Sequence, residues 1–178
     1  MGLIAFDDVD WNDEHIKEFA FYWYSLWQKG EIPYQSAFDP SKVRHLLPGI
    51  TIYELKLDGA IRCRLLGAGL AEQFGWDFTG RNFLDLLEEE SREIARENFK
   101  TVLNLPCGFY SKISCFTEND FEVTGLSVGF PGLDESGDAN RLIFYSKLDE
   151  RHTVREPRKD KVLKIVSSGQ CFISLDQV

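Results

Sequence analysis

No run in this chain approaches the roughly 18 consecutive apolar residues that a membrane-spanning helix needs, and Asp7, Asp8 and Asp10 stand where a secretory leader would be basic. A cytoplasmic chain with no membrane role is expected. Histidine is scarce: His15, His45 and His152 are too far apart to share a helix face, so the spacing points to no zinc site. The four cysteines, Cys63, Cys107, Cys115 and Cys171, form no Cys-x-x-Cys pair, which excludes the usual short metal and redox motifs and leaves buried thiols as the reading. Basic charge is also short: 20 Lys and Arg against 29 Asp and Glu give a net charge of −9 and a pI near 4.9. Such a chain is a poor partner for nucleic acid or an anionic membrane surface. Internal repeats and low-complexity tracts are missing as well.

A catalytic constellation is equally hard to find. Ser91 and Ser111 have no histidine near them in sequence, whereas nucleophilic catalysis wants a base beside the hydroxyl. Glu54, Asp77 and Glu122 are the carboxylates placed where a cavity could use them. A ketosteroid-isomerase-like cone with an Asp base is the enzyme alternative. The early hairpin followed by short helices argues against it, and no enzyme is expected.

What the chain does have is aromatic weight, with 14 Phe, 6 Tyr and 4 Trp in 178 residues, enough to fill one core or to line an apolar pocket. The alternation of Ile61, Cys63 and Leu65 with Arg62 and Arg64 has the period of a half-buried strand. Residues 50–57 are rich in β-branched and aromatic side chains, and Asp58-Gly59 between the two runs is a hairpin turn. Leu70, Ala71, Phe74 and Trp76 suit one or two helical turns closed by Gly75. Asn82 caps a short segment over residues 83–87. Residues 88–105 read as a longer helix with Ile94, Ala95, Asn98, Val102 and Leu105 on or near one face and Phe99 and Leu103 flanking it. Three strands follow, over 109–117, 121–130 and 141–148. The order is β-β-α-α-α-β-β-β, an α+β architecture with a five-stranded antiparallel sheet.

An N-terminal helix precedes this core, capped by Asn12 or Asp10, with an apolar stripe through Ile16, Phe19, Ala20, Trp23, Leu26 and Trp27. Phe21, Tyr22 and Tyr24 widen the stripe, so the helix can cover its own sheet and also meet a second copy. Residues 1–48 are assigned to this helix and its connection, 49–150 to the core, and 151–178 to an extension. Within the extension, 161–166 and 171–175 read as two strands around Ser167-Ser168-Gly169-Gln170, a β-hairpin. Arg151, Arg155, Arg158, Lys159, Lys161 and Lys164 make its first half basic, while residues 1–40 hold eight acidic and two basic residues. The basic cluster is read as a solvated linker or as a docking patch for the acidic N-terminus of a second copy.

Two stretches carry a family resemblance. One is Arg64-Leu65-Leu66-Gly67-Ala68 followed by Phe74-Gly75-Trp76-Asp77-Phe78-Thr79-Gly80-Arg81. The other is Ile32-Pro33-Tyr34-Gln35-Ser36-Ala37-Phe38-Asp39-Pro40 leading into Leu46-Leu47-Pro48-Gly49-Ile50. Together they resemble small stand-alone bacterial PAS-domain proteins, with Ala68 where that family tends to have Thr. The resemblance spans roughly residues 20–150. It implies a sensor or signalling module that holds a small, mostly apolar ligand and acts in trans on a signalling protein, commonly as a homodimer through the flanking helix. The ligand-binding candidates are Phe78, Phe83, Phe99 and Phe116, with Arg64 or Arg81 as a polar anchor. The alternative is a cavity filled by side chains in a ligand-free interaction or dimerisation module. Phe83 stands where a photoactive flavin domain carries its reactive cysteine, and no His, Cys or Met lies between Phe74 and Leu105 to ligate haem. No cofactor is expected.

Overall fold

A computed structural model describes residues 2–28, 30–149 and 160–176. Seven strands form one curled sheet: β1 (Leu3–Ala5), β2 (Ile50–Leu55), β3 (Ile61–Leu66), β4 (Cys107–Thr117), β5 (Glu122–Leu133), β6 (Ala139–Leu148) and β7 (Val162–Ser174). Their order across the sheet is β1-β7-β4-β5-β6-β2-β3. The five strands expected from the sequence, β2 to β6, pair antiparallel throughout. Three helices accompany them, α1 (Glu14–Leu26), α2 (Ala68–Phe74) and α3 (Glu89–Asn104), with a 3-10 turn over Phe83–Leu86 between the last two.

Two strands beyond the expected five extend the β4 edge. β7 runs antiparallel to β4, and β1 adds to β7 in parallel. The C-terminal segment is therefore one strand, and the expected hairpin is corrected. The Ser-Ser-Gly-Gln run that reads as a turn is a bulge. Tyr110 faces Cys171 and Lys112 faces Ser168, so Gly169 and Gln170 share the single position opposite Ser111. Gly169, at φ +57°, takes the left-handed conformation that lets a strand absorb an extra residue without reversing.

The sheet is buried on both faces because inward and outward positions alternate between two cores. On one face Tyr53, Phe109 and Phe144 pack with α2, the 3-10 turn and α3. On the other, Ile50, Tyr110, Val128 and Tyr145 pack with α1. Trp23 of α1 stacks on Phe130 of β5 with ring centroids 4.5 Å apart, and Ile16, Phe19, Ala20 and Trp23 are wholly buried. The helix stripe is thus covered by its own sheet, and Phe21, 46% exposed, is the large apolar side chain that α1 presents outward. The N-cap is Asp13, in place of Asn12 or Asp10. Its carboxylate accepts from the amides of His15 and Ile16 and pairs with Lys147 of β6. On α3 the buried face is centred on Asn98, Phe99, Val102 and Leu103. Ile94 and Leu105, expected on the inner face, are more than half exposed.

The Asp77-to-Asn82 stretch is a clamp on β3. Asp77 Oδ1 accepts from the amide and hydroxyl of Thr79. The Gly80 amide donates to the Cys63 carbonyl at 2.7 Å, and the Cys63 amide donates to the Arg81 carbonyl at 2.9 Å. Gly80 at φ +86° makes that reversal at no steric cost. Asn82 Oδ1 accepts from the amides of Ile61 and Leu84, capping the 3-10 turn and tying it to β3.

Candidate functional site

Between α3 and the sheet lies a cavity of about 150 Å³. The helical side supplies Leu70, Phe74, Phe83, Ala95 and Phe99, and Ile94 and Ser91 sit toward solvent at its edge. The sheet supplies Tyr53, Phe109 and Phe144. These rings form a continuous array: Tyr53 to Phe83 is 5.0 Å, Tyr53 to Phe99 5.7 Å, and Phe99 stacks on Phe144 at 5.6 Å between centroids.

Leu87, Ile113 and Ile165 add apolar surface, and the remaining lining side chains are polar and uncharged. Ser111, Ser127 and Ser146 sit side by side on β4, β5 and β6 as direct cross-strand partners, a row about 10 Å wide at ordinary strand spacing. Thr51 of β2 and Ser167 of β7 join them. Ser127 and Ser146 satisfy each other at 2.8 Å. At the bulge, Asn98 of α3 donates to Gln170 Oε1 at 2.9 Å. Thr51 and Ser111 are each only 2% exposed. The Ser167 Oγ is buried with no hydrogen-bond partner among the described residues, and Thr51, Tyr53 and Ser111 bring their hydroxyls to the same lining. Leaving a buried hydroxyl such as that of Ser167 unsatisfied costs about 1–3 kcal/mol. Burial also pushes the Tyr53 phenol well above its ordinary range, which keeps it neutral.

Of the six residues named from the sequence, Phe83 and Phe99 line the cavity. Phe78 is stacked on Phe74 in the core below it. Phe116 lies under the Lys164 ammonium, 4.7 Å from ring centroid to Nζ. Arg64 is on the solvent side of β3, 3.3 Å from Glu54, and Arg81 is exposed. Neither arginine lines the cavity. Glu54 is spent in the same outward cluster, 3.0 Å from Arg141. Burial pushes its carboxyl up, but Arg141 and Lys56 outweigh that and hold it below the ordinary value. Asp77 and Glu122 are also absent from the lining.

The serine row and Gln170 are the residues sequence reasoning passed over. Their signal is period 2: Ser111 is two residues from inward Phe109, and Ser146 two from inward Phe144. Polar side chains at inward positions of strong strands mark a site.

Among the described residues no His, Cys or Met lines the cavity. Burial, and then the charge of Asp77, pushes the Cys63 thiol up to about 12; burial alone does the same to Cys107. Among the described residues no cluster of His, Cys, Asp or Glu could hold a metal, and no helix is long and apolar enough to cross a membrane. Of the basic cluster, Arg151, Arg155, Arg158 and Lys159 lie outside the described residues. Lys164 pairs with Glu88 at the start of α3, 3.0 Å away.

The sequence matches the PAS domain family over residues 12–132. No curated protein sequence matches. Among solved structures, the Rhodobacter sphaeroides LOV protein is similar at 14% identity, covering 65% of this chain and 70% of that one, with a TM-score of 0.46. The dark-state LOV domain of Aureochrome1 gives 11%, 68%, 87% and 0.47. A sensory box sensor histidine kinase from Vibrio cholerae gives 15%, 62%, 90% and 0.33.

Proposed function

The chain belongs to the PAS domain family, and from that premise we propose that it is a sensor module that binds a small, mostly apolar ligand between α3 and the sheet and passes its state to a signalling protein in trans. The observation that carries this reading is the cavity itself: six aromatic rings, three from the helical side and three from the sheet, beside a row of sheet hydroxyls of which Ser167 Oγ is buried and unpaired among the described residues. Packing filled by side chains alone would leave neither the space nor the unpaired hydroxyl. This favours a ligand over the ligand-free interaction module.

A photoactive flavin adduct does not fit the residues present. It requires a thiol at the ring, and the cavity wall has none. Its volume is also below the roughly 300–1,000 Å³ of sites for larger ligands. Haem is disfavoured by the same lining, which offers no axial ligand. A catalytic role has equally little support, because among the described residues the only titratable side chain in the wall is the neutral Tyr53. A homodimer through α1 would draw on Phe21, since the rest of the stripe is occupied by the sheet; its test is sedimentation of the wild-type chain against Phe21→Ser. The cytoplasmic setting remains part of the proposal and rests on sequence composition.

Native mass spectrometry of the freshly purified chain tests the main reading. A bound small molecule that is lost on denaturing extraction supports it. A chain at its bare mass under the gentlest conditions, with no added compound raising its unfolding midpoint, overturns it in favour of the interaction module.

A further inference from the structure

The chemistry of the cavity wall narrows the ligand class; this step rests on the cavity being a ligand site. Among the described residues no Lys, Arg, Asp, Glu or His lines it. An ion entering it would lose its hydration with no countercharge in return, which is strongly unfavourable. A purely apolar molecule would match the rings of Phe83, Phe99 and Phe144 but offer no hydrogen bond to the hydroxyls of Thr51, Tyr53, Ser111 and Ser167 that line the same space, of which Ser167 Oγ is buried without a partner among the described residues. Water alone would satisfy the hydroxyls and leave the aromatic half wetted. A molecule with one flat apolar face and one neutral polar edge satisfies both halves. Size is bounded as well: an engineered cavity of ~150 Å³ takes a benzene molecule, and this one has the same volume.

We propose that the cavity takes a neutral, flat molecule about the size of one substituted aromatic ring, bearing a group that both donates and accepts hydrogen bonds, as an amide does. The ring lies against Phe83, Phe99 and Phe144, and the polar edge meets Ser111, Thr51 and Ser167. Gln170, in the β7 bulge and bonded to Asn98, stands at the end of the serine row where it can turn its amide to the ligand.

Three probes of one ring size separate the possibilities: benzamide, benzoate and toluene, each titrated into the full-length protein while its backbone amides are followed by NMR. Benzamide is expected to shift the amides of Ser111, Ser127 and Gln170 and to bind about tenfold more tightly than either of the others, the margin of one or two neutral hydrogen bonds. The double variant Ser111→Ala with Thr51→Val is expected to lose about that tenfold for benzamide and nothing for toluene. Benzoate or toluene binding in the cavity as tightly as benzamide would overturn the ligand class and leave the ligand-sensor reading standing. Shifts at these amides from none of the three would overturn both, and the wild-type comparison decides this without any variant.

Discussion

Ser111 and Ser127 are cross-strand partners on the same sheet face, both buried, and truncating each to alanine removes the same single oxygen. Their environments predict different outcomes. Ser127 shares a 2.8 Å hydrogen bond with Ser146, so Ser127→Ala loses a net contribution of about 1 kcal/mol and strands the Ser146 hydroxyl. Ser111 lines the cavity outside that bonded pair, so Ser111→Ala loses about an oxygen's worth of packing. The ligand-free protein should therefore be destabilised by about 1 kcal/mol by Ser127→Ala and left nearly unchanged by Ser111→Ala. With a urea dependence near 2 kcal/mol per molar, the two midpoints separate by about 0.5 M, beyond the scatter of a denaturation curve. Urea titration followed by tryptophan fluorescence and circular dichroism reads this directly. If Ser111→Ala costs as much as Ser127→Ala, the Ser111 hydroxyl is firmly bonded in the free protein. A hydroxyl so engaged is not available to a ligand, and that result refutes the proposed polar wall.

Asp13→Ala should cost about 1 kcal/mol, as N-cap replacements do, measured by urea midpoint at pH 7. Burial pushes the Asp13 carboxyl up, but hydrogen bonds from Lys147, Ile16 and His15 outweigh it and hold it below 3.8. Its pairing therefore contributes fully above that value and is lost as pH falls through the lower folded value, so the stabilities of wild type and Asp13→Asn should converge as the pH is lowered below the ordinary carboxylate range. Gly129→Ala would place a Cβ 2.4 Å from the Phe144 ring. That ring has to shift within the aromatic wall, with an expected loss of about 1–3 kcal/mol and altered probe binding in the same NMR titration. Cys63 and Cys107, both buried and pushed up to about 12, should resist a thiol-specific reagent at pH 8 in the folded protein and react on unfolding; rapid labelling of either in native buffer contradicts their placement.

The central five strands and the helical segments were legible because each carries a strong local signal: Asp58-Gly59 for the hairpin, clean alternation in β3, and Pro106 and Gly108 after α3. The extended segments 161–166 and 171–175 were also legible, but their continuity as one strand was not, since a left-handed Gly in a bulge and a left-handed Gly in a turn look alike in sequence. Only the pairing of Tyr110 with Cys171 and Lys112 with Ser168 distinguishes them. The three-residue β1 has too little pattern to detect and exists only because β7 offers it an edge. At the site, aromatic content pointed to Phe83 and Phe99. The arginines were attractive as anchors because charge is easy to see in a sequence, but the alternation that makes β3 a strand turns Arg64 to the solvent side. The polar anchor proposed in their place is a row of hydroxyls contributed by three strands. It emerges only once register aligns Ser111, Ser127 and Ser146.

That alignment gives β7 a meaning the five-strand frame lacks. Without it, the cavity would open at Ser111 onto an unpaired β4 edge; with it, Ile165, Ser167 and Gln170 close that side. β7 is also fastened to the helical layer at separate points. Trp76 Nε1 donates to the Val162 carbonyl at 2.9 Å, Lys164 pairs with Glu88, and Gln170 accepts from Asn98. Beyond its far end, the Leu175 carbonyl accepts from Tyr24 of α1 on the opposite face. A ligand that competed for Gln170 would act on a strand whose continuation is bonded to the other layer. β7 carries Ile165, Ser167 and Gln170 in the cavity wall and runs on to Leu175, bonded to α1 on the opposite face, so the proposed site and the outer helix share one paired strand.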